Sequence, residues 1–174
     1  MNRLQLEHAI RASGAISGDR ELYIVGSQSI LGAHPNAPAE LCRSLEVDLA
    51  PKNRPELEAL IEGSIGELSP FHNTFGFYVD GIDIEAIALP AGWQTRLVVV
   101  DNPNTNGYRG LCLDPGDLAV SKLVARREKD LDFVRVMLRS SLITADEIKA
   151  RLPTVRGLAE ADVQTLVELV DRLT

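Results

Sequence analysis

Glu46 and Asp48 stand one residue apart in SLEVDLA (44–50), among Leu45, Val47 and Leu49. On a β-strand the side-chain period is two, so the two carboxylates share one face while the apolar neighbours turn to the other. Carboxylates held about 7 Å apart on a strand repel each other unless water or a cation accepts them. A divalent cation is one acceptor, since Mg²⁺ takes oxygen ligands, usually one or two carboxylates together with substrate phosphates. The wet outer face of an edge strand is the other, and the pair alone leaves both readings open. Asp83 and Glu85 in GIDIEAIAL repeat the spacing. Three carboxylates from two adjacent strands are the raw material of a two-metal phosphoryl-transfer site. Upstream, ELYIVGS ends at Gly26-Ser27. There a glycine lets the backbone approach a ligand, the N–H groups opening the next helix can receive a phosphate, and Ser27 adds a hydroxyl. Alone, that stretch is an ordinary tight turn; followed by an acidic strand, it becomes a less common constellation.

The elements that must position these groups follow from periodicity. Residues 3–13 carry Leu4, Ala9 and Ile10 at helical spacing, with Gly14 and Gly18 as stops. Residues 21–27 read as a strand, QSILGA as a short helix, 44–50 as an alternating strand, and 54–68 as an amphipathic helix with Pro55 in its first turn. The spacing predicts a strand over 75–89 broken at Asp80-Gly81, a buried strand over 95–101, and a turn or loop over 101–110. From residue 115 the pattern turns helical, with further helices at 144–152 and 159–173. The expected fold is α/β (α+β): a small mixed sheet with helices over 1–114, and a helical C-terminal third over 115–174 packed on it.

The chain has 174 residues, 45% of them hydrophobic, which suits one core rather than two complete domains. A net charge of −7 argues against broad non-specific affinity for nucleic acid, which requires an excess of Lys and Arg. Two cysteines form neither a zinc-ligand set nor a disulfide framework. The first residues lack a signal peptide's apolar core, and no apolar stretch approaches the roughly 20 residues that span a bilayer. A cytoplasmic protein with no membrane partner is the expectation.

IVGSQSILG followed by SLEVDL resembles the motif of the DNA polymerase β-type nucleotidyltransferase superfamily. Its order is strand, Gly-Gly or Gly-Ser turn, helix, two metal-binding carboxylates, and a third carboxylate on a later strand. Within that superfamily the chain is similar to compact bacterial proteins related to AbiEii-type and MenT-type toxins, a similarity that also rests on DLAVSKLVARREKDLDFV. The resemblance implies that Glu46, Asp48 and Asp83 bind Mg²⁺ or Mn²⁺. It implies that Gly26 and Ser27 hold the phosphates of a nucleoside triphosphate, and that Lys122 and Asp130 assist binding and catalysis. Glu46 fills a position where Asp is commoner, which moves the carboxylate by one C–C bond. The implied acceptor is RNA (tRNA included) or a protein, and the implied partner is a cognate antitoxin.

At 100° per residue, Lys122, Arg126 and Lys129 would share one helical face, a cationic stripe suited to triphosphate oxygens or simply a solvated basic surface. His8, His34 and His72 lack metal-ligand spacing. The aromatic group Phe71, His72, Phe75, Phe77 and Tyr78 suits core packing before base stacking, and Trp93 suits an anchor for a loop. The apolar face of 158–170 is carried by Leu158, Val163, Leu166, Val167, Leu169 and Val170, and it is broad enough to dock a partner or a second copy in a homo-oligomer. A catalytically degenerate member of the same fold, binding a nucleotide or a protein, is the alternative to an enzyme.

Overall fold

The computed structural model describes all residues from Met1 to Thr174. Helix α1 (Arg3–Ser17) opens with a capping box, Asn2 accepting from the Gln5 N–H and Gln5 from the Asn2 N–H, and closes at Gly18 in the left-handed conformation. Then come β1 (Glu21–Val25), the short helix α2 (Ile30–Ala33), β2 (Glu46–Pro51), α3 (Glu58–Ile65), α4 (Pro70–Phe75) and β3 (Tyr78–Gly81). After a long irregular segment follow β4 (Val98–Val100), β5 (Arg109–Cys112) and helices α5 (Pro115–Ala125), α6 (Glu128–Arg139), α7 (Ala145–Arg151) and α8 (Glu160–Leu173). The mixed α/β class read from the sequence is the one observed.

The sheet order is β3-β2-β1-β5-β4. β1 runs antiparallel to β2 and parallel to β5, β2 runs parallel to β3, and β4 closes the far edge antiparallel to β5. One face carries Leu22, Ile24, Val47, Leu49 and Val79, all fully buried beneath α1 and α3. The parallel start of β2 and β3 coincides with the end of β1, so one end of the sheet gathers residues from three strands. Helices α5 and α6 pack against that same end, α5 on the turn Ser27–Ser29 and α6 on the turn Ala39–Cys42.

Four expectations change. The break expected at Asp80-Gly81 is where β3 ends, Gly81 lying so close to the Glu58 backbone that a side chain would collide with it, but the strand does not resume after it and Ile84–Ala86 form a 3₁₀ turn instead. The loop expected over 101–110 gives way at Arg109 to β5, a central strand whose Gly110 lies against Ile10 of α1 and whose four residues show no alternation. The helical segment from residue 115 breaks at Arg126, which is left-handed at φ 55°. Lys122 and Lys129 therefore lie on different helices and the single-face stripe does not form. In α8, Leu166, Val170 and Leu173 are buried, and Leu158, Val163, Val167 and Leu169 pack against the same core, so the face read as a docking surface is used internally. No helix is long and apolar enough to cross a membrane.

Asp117, fully buried at the first turn of α5, ties three segments together. It accepts from Arg96 Nε and a second Arg96 nitrogen, both at 2.9 Å, and from Arg151 of α7 at 3.0 Å. Arg151 also pairs with Asp114, the N-cap of α5. Asp117→Asn removes the charge both guanidinium groups answer. As these remain partly solvated, the expected loss is roughly 2–3 kcal/mol by urea unfolding.

Candidate active site

Gly26 has φ 58° and ψ −165°, a region essentially restricted to glycine, and a Cβ there would overlap the Asp48 carboxylate. The chain turns sharply after β1, and Ser29 holds the turn by donating its hydroxyl to the Gly26 carbonyl at 2.9 Å. Asp48 pairs in register with Val25 on one side and with Asp80 on the other, while Glu46 pairs with Tyr78. Residues directly opposite in a ladder share a face. Glu46, Asp48 and Asp80 thus form one carboxylate group, with the Tyr78 hydroxyl donating to Glu46 Oε2 at 3.2 Å.

Asp83, the third carboxylate expected from the sequence, lies elsewhere. It is exposed, caps the Ile84–Ala86 turn, and accepts from the Glu85 N–H at 2.9 Å. Alternation held the signal: Phe77 and Val79 are buried, so Asp83, of the same parity, would have entered the core had the strand continued, whereas Asp80 is in phase with Tyr78.

The carboxylates leave a clear electrostatic mark. Asp48 is pushed up to about 6, chiefly by burial and then by the charges of Glu46 and Asp80, with Lys122 and Arg127 opposing. Asp80 is raised by burial and by Glu46, Glu62 and Glu67. Burial and the neighbouring Glu46 push Tyr78 up to about 12, so its hydroxyl keeps the proton it donates.

Facing this group are residues from α5, α6 and the break between them. Lys122 Nζ meets Asp130 Oδ1 at 2.9 Å and lies 4.5 Å from the centre of the Phe133 ring. Arg127 Nε meets Asp130 Oδ2 at 2.5 Å. Burial works to raise Asp130, but the bonds from Arg127 and Lys122 outweigh it and hold its carboxyl below the usual range. Lys122 and Asp130 are therefore brought to the carboxylates as expected. Arg126 is not: it turns outward to Asp162 at 3.1 Å. Arg127, for which the sequence carries no signal, takes that place: past the left-handed turn at Arg126 its Nε reaches the buried Asp130 carboxylate while the rest of its side chain stays exposed.

A cleft of about 630 Å³ opens beside the group, with Ser27, Ser44 and Glu46 on one wall and Lys122, Lys129 and Phe133 on the other. A volume of several hundred Å³ suits a nucleotide. The donor set is hard oxygen, and the repulsion that raises Asp48 is what a cation would relieve. No three His, Cys, Asp or Glu side chains converge closely enough to hold an ion unaided. The residues present thus fit Mg²⁺ or Mn²⁺ on two carboxylates, with phosphate and water oxygens as the remaining ligands.

The aromatic group is a packing cluster: His8 of α1 meets Phe71, Phe75 and Phe77 at centroid distances of 5.1, 4.5 and 5.7 Å. Trp93 packs its loop on Tyr23 of β1 at 5.1 Å.

The family described as "Nucleotidyltransferase of unknown function (DUF6036)" matches residues 4–167. The chain belongs to this family. The match spans β1, β2, β3 and both helices that supply the cations, so every group of the site lies within the nucleotidyltransferase region. No curated protein and no solved structure matches the chain.

Asp48 has a folded-state pKa raised from 3.8 to about 6, so its ionisation opposes folding. The associated stability is fully present below the unfolded value and is lost as pH rises through the folded one. Asp48→Asn in chelator should therefore gain in thermal midpoint over the parent at pH 8, and the gain should vanish at pH 4.

Proposed function

We propose that the protein is a metal-dependent nucleotidyltransferase that moves a nucleotidyl group from a nucleoside triphosphate to an acceptor hydroxyl. The supporting observation is the meeting of Glu46, Asp48 and Asp80 with the Lys122–Arg127–Asp130 cluster beside a cleft lined by Ser27. In the reaction, the acceptor oxygen bonds to the α-phosphorus and the bond from that phosphorus to the bridging oxygen breaks. Pyrophosphate leaves, and the hydroxyl proton passes to a carboxylate. Asp80, with its raised proton affinity, is the candidate base. When bound, Mg²⁺ or Mn²⁺ on Glu46 and Asp48 supplies positive charge to the phosphate oxygens. The Gly26 turn keeps Asp48 in place, the Ser27 hydroxyl can donate to a phosphate, and Lys122 and Arg127 offset charge developing on the leaving pyrophosphate.

RNA, tRNA included, is the preferred acceptor, with a protein side chain as the other. Arg43 and Lys129 line the cleft with no carboxylate partner, which favours a polyanion. A toxin role with a cognate antitoxin, in the cytoplasm, follows from the resemblance to AbiEii-type and MenT-type proteins. A second reading, a degenerate protein that binds nucleotide without turnover, is favoured by the lack of three converging metal-ligating side chains.

The test incubates the protein with α-labelled nucleoside triphosphates, Mg²⁺ or Mn²⁺, and total RNA or protein, beside Asp48→Ala. Label transfer that falls roughly a hundredfold or more in the variant supports the enzyme. Asp48-dependent nucleotide binding without transfer supports the degenerate reading, and loss of both overturns the assignment.

A further inference from the structure

We propose that Tyr78 is a positioning residue that fixes the Glu46 carboxylate for metal binding, an inference that rests on the metal-dependent reading of the site. Glu46 and Asp48 face the same side of β2 but are held differently. Asp48 has a short side chain backed by the Gly26 turn. Glu46 has one more rotatable bond, so its oxygens would otherwise sweep a larger volume.

The register supplies the restraint. Tyr78 is the β3 partner of Glu46, and its hydroxyl donates to Oε2 at 3.2 Å, leaving Oε1 without a side-chain donor. That distance is longer than the roughly 2.5–3.0 Å usual for an O–H···O bond, so the contact is a weak one that biases the carboxylate and still lets it shift toward an arriving ion. The phenol is itself held. His72 packs on the Tyr78 ring at 4.8 Å, and its Nδ1 accepts from the Leu68 N–H at 3.1 Å. The His72 N–H is in turn bound by Ser69, the N-cap of α4. A chain of contacts thus runs from the α4 cap through His72 and Tyr78 to Glu46. Partners of this kind, bonded to a metal-ligating group rather than to the metal, commonly contribute 10–100-fold to metal affinity.

The experiment titrates Mn²⁺ into the full chain and reads free Mn²⁺ by electron paramagnetic resonance, for the parent, Tyr78→Phe, Glu46→Asp, the double variant and Asp48→Ala. Tyr78→Phe should weaken Mn²⁺ binding about tenfold with the chelator-treated thermal midpoint unchanged. In the Glu46→Asp background, whose shorter carboxylate draws back from the hydroxyl, adding Tyr78→Phe should change binding less than twofold. If Asp48-dependent binding is seen and Tyr78→Phe binds as the parent does, or loses the same factor in both backgrounds, the positioning role is overturned and the metal site stands. If no Asp48-dependent Mn²⁺ binding is seen in the parent, the metal reading falls and this inference falls with it.

Discussion

Repulsion among Glu46, Asp48 and Asp80 is the constraint to which the rest of the site answers. Strand pairing places the three on one face of two neighbouring strands, and burial raises the cost of charging Asp48 to the point where it titrates near pH 6. Such a group is unfavourable for folding in isolation, and it persists because the surrounding core over-determines it. The hydrophobic cluster of 33 buried residues runs without interruption from α1 through the sheet to α8, so the strands cannot drift apart to relieve the repulsion.

The cations that oppose these carboxylates come from the helical C-terminal third. Lys122 is almost fully buried, and a buried ammonium persists only with partners. Asp130 and the face of Phe133 supply them, both from α6. The break at Arg126 allows this. A continuous helix would have carried Asp130 past Lys122 along one axis, whereas the left-handed residue folds α6 back so that Asp130 bonds Lys122 and Arg127 together. Asp117 performs a comparable service further from the cleft, anchoring α5 to α7 through Arg151 and to the segment before β4 through Arg96.

The sequence made the first half of the site legible because its signals are local. A strand ending in Gly-Ser and an alternating acidic strand can each be read within a few residues, and Gly26, Ser27, Glu46 and Asp48 emerged that way. The helices expected over 3–13, 144–152 and 159–173 are legible for the same reason, their periodicity being continuous, although α1 runs through Gly14 to Ser17. The third carboxylate, Asp80, sits at the break expected at Asp80-Gly81 and is in phase with Tyr78, but a four-residue strand gives alternation too few positions to separate it from Asp83. Strand β5 was lost because Arg109–Cys112 is short and buried, paired on both sides, with a glycine where α1 presses close. Arg127 is not legible because nothing in the sequence marks Arg126 as the left-handed end of α5. A central strand and a cation were thus both set by tertiary contacts rather than by pattern.

Charge balance orders the events on the metal-dependent reading. Glu46, Asp48, Asp80 and Asp130 face Lys122 and Arg127, an excess of two negative charges when all are ionised, which is the charge of one divalent cation. A nucleoside triphosphate approaching without an ion would meet carboxylates it cannot bind and cations already held by Asp130. Arg43 and Lys129 have no carboxylate partner, and they lie on the walls of the cleft. They can draw the triphosphate in, but they cannot cancel the carboxylates behind it. On that reading the nucleotide would arrive with its cation or after it, because only a divalent charge would offset both the carboxylates and the triphosphate.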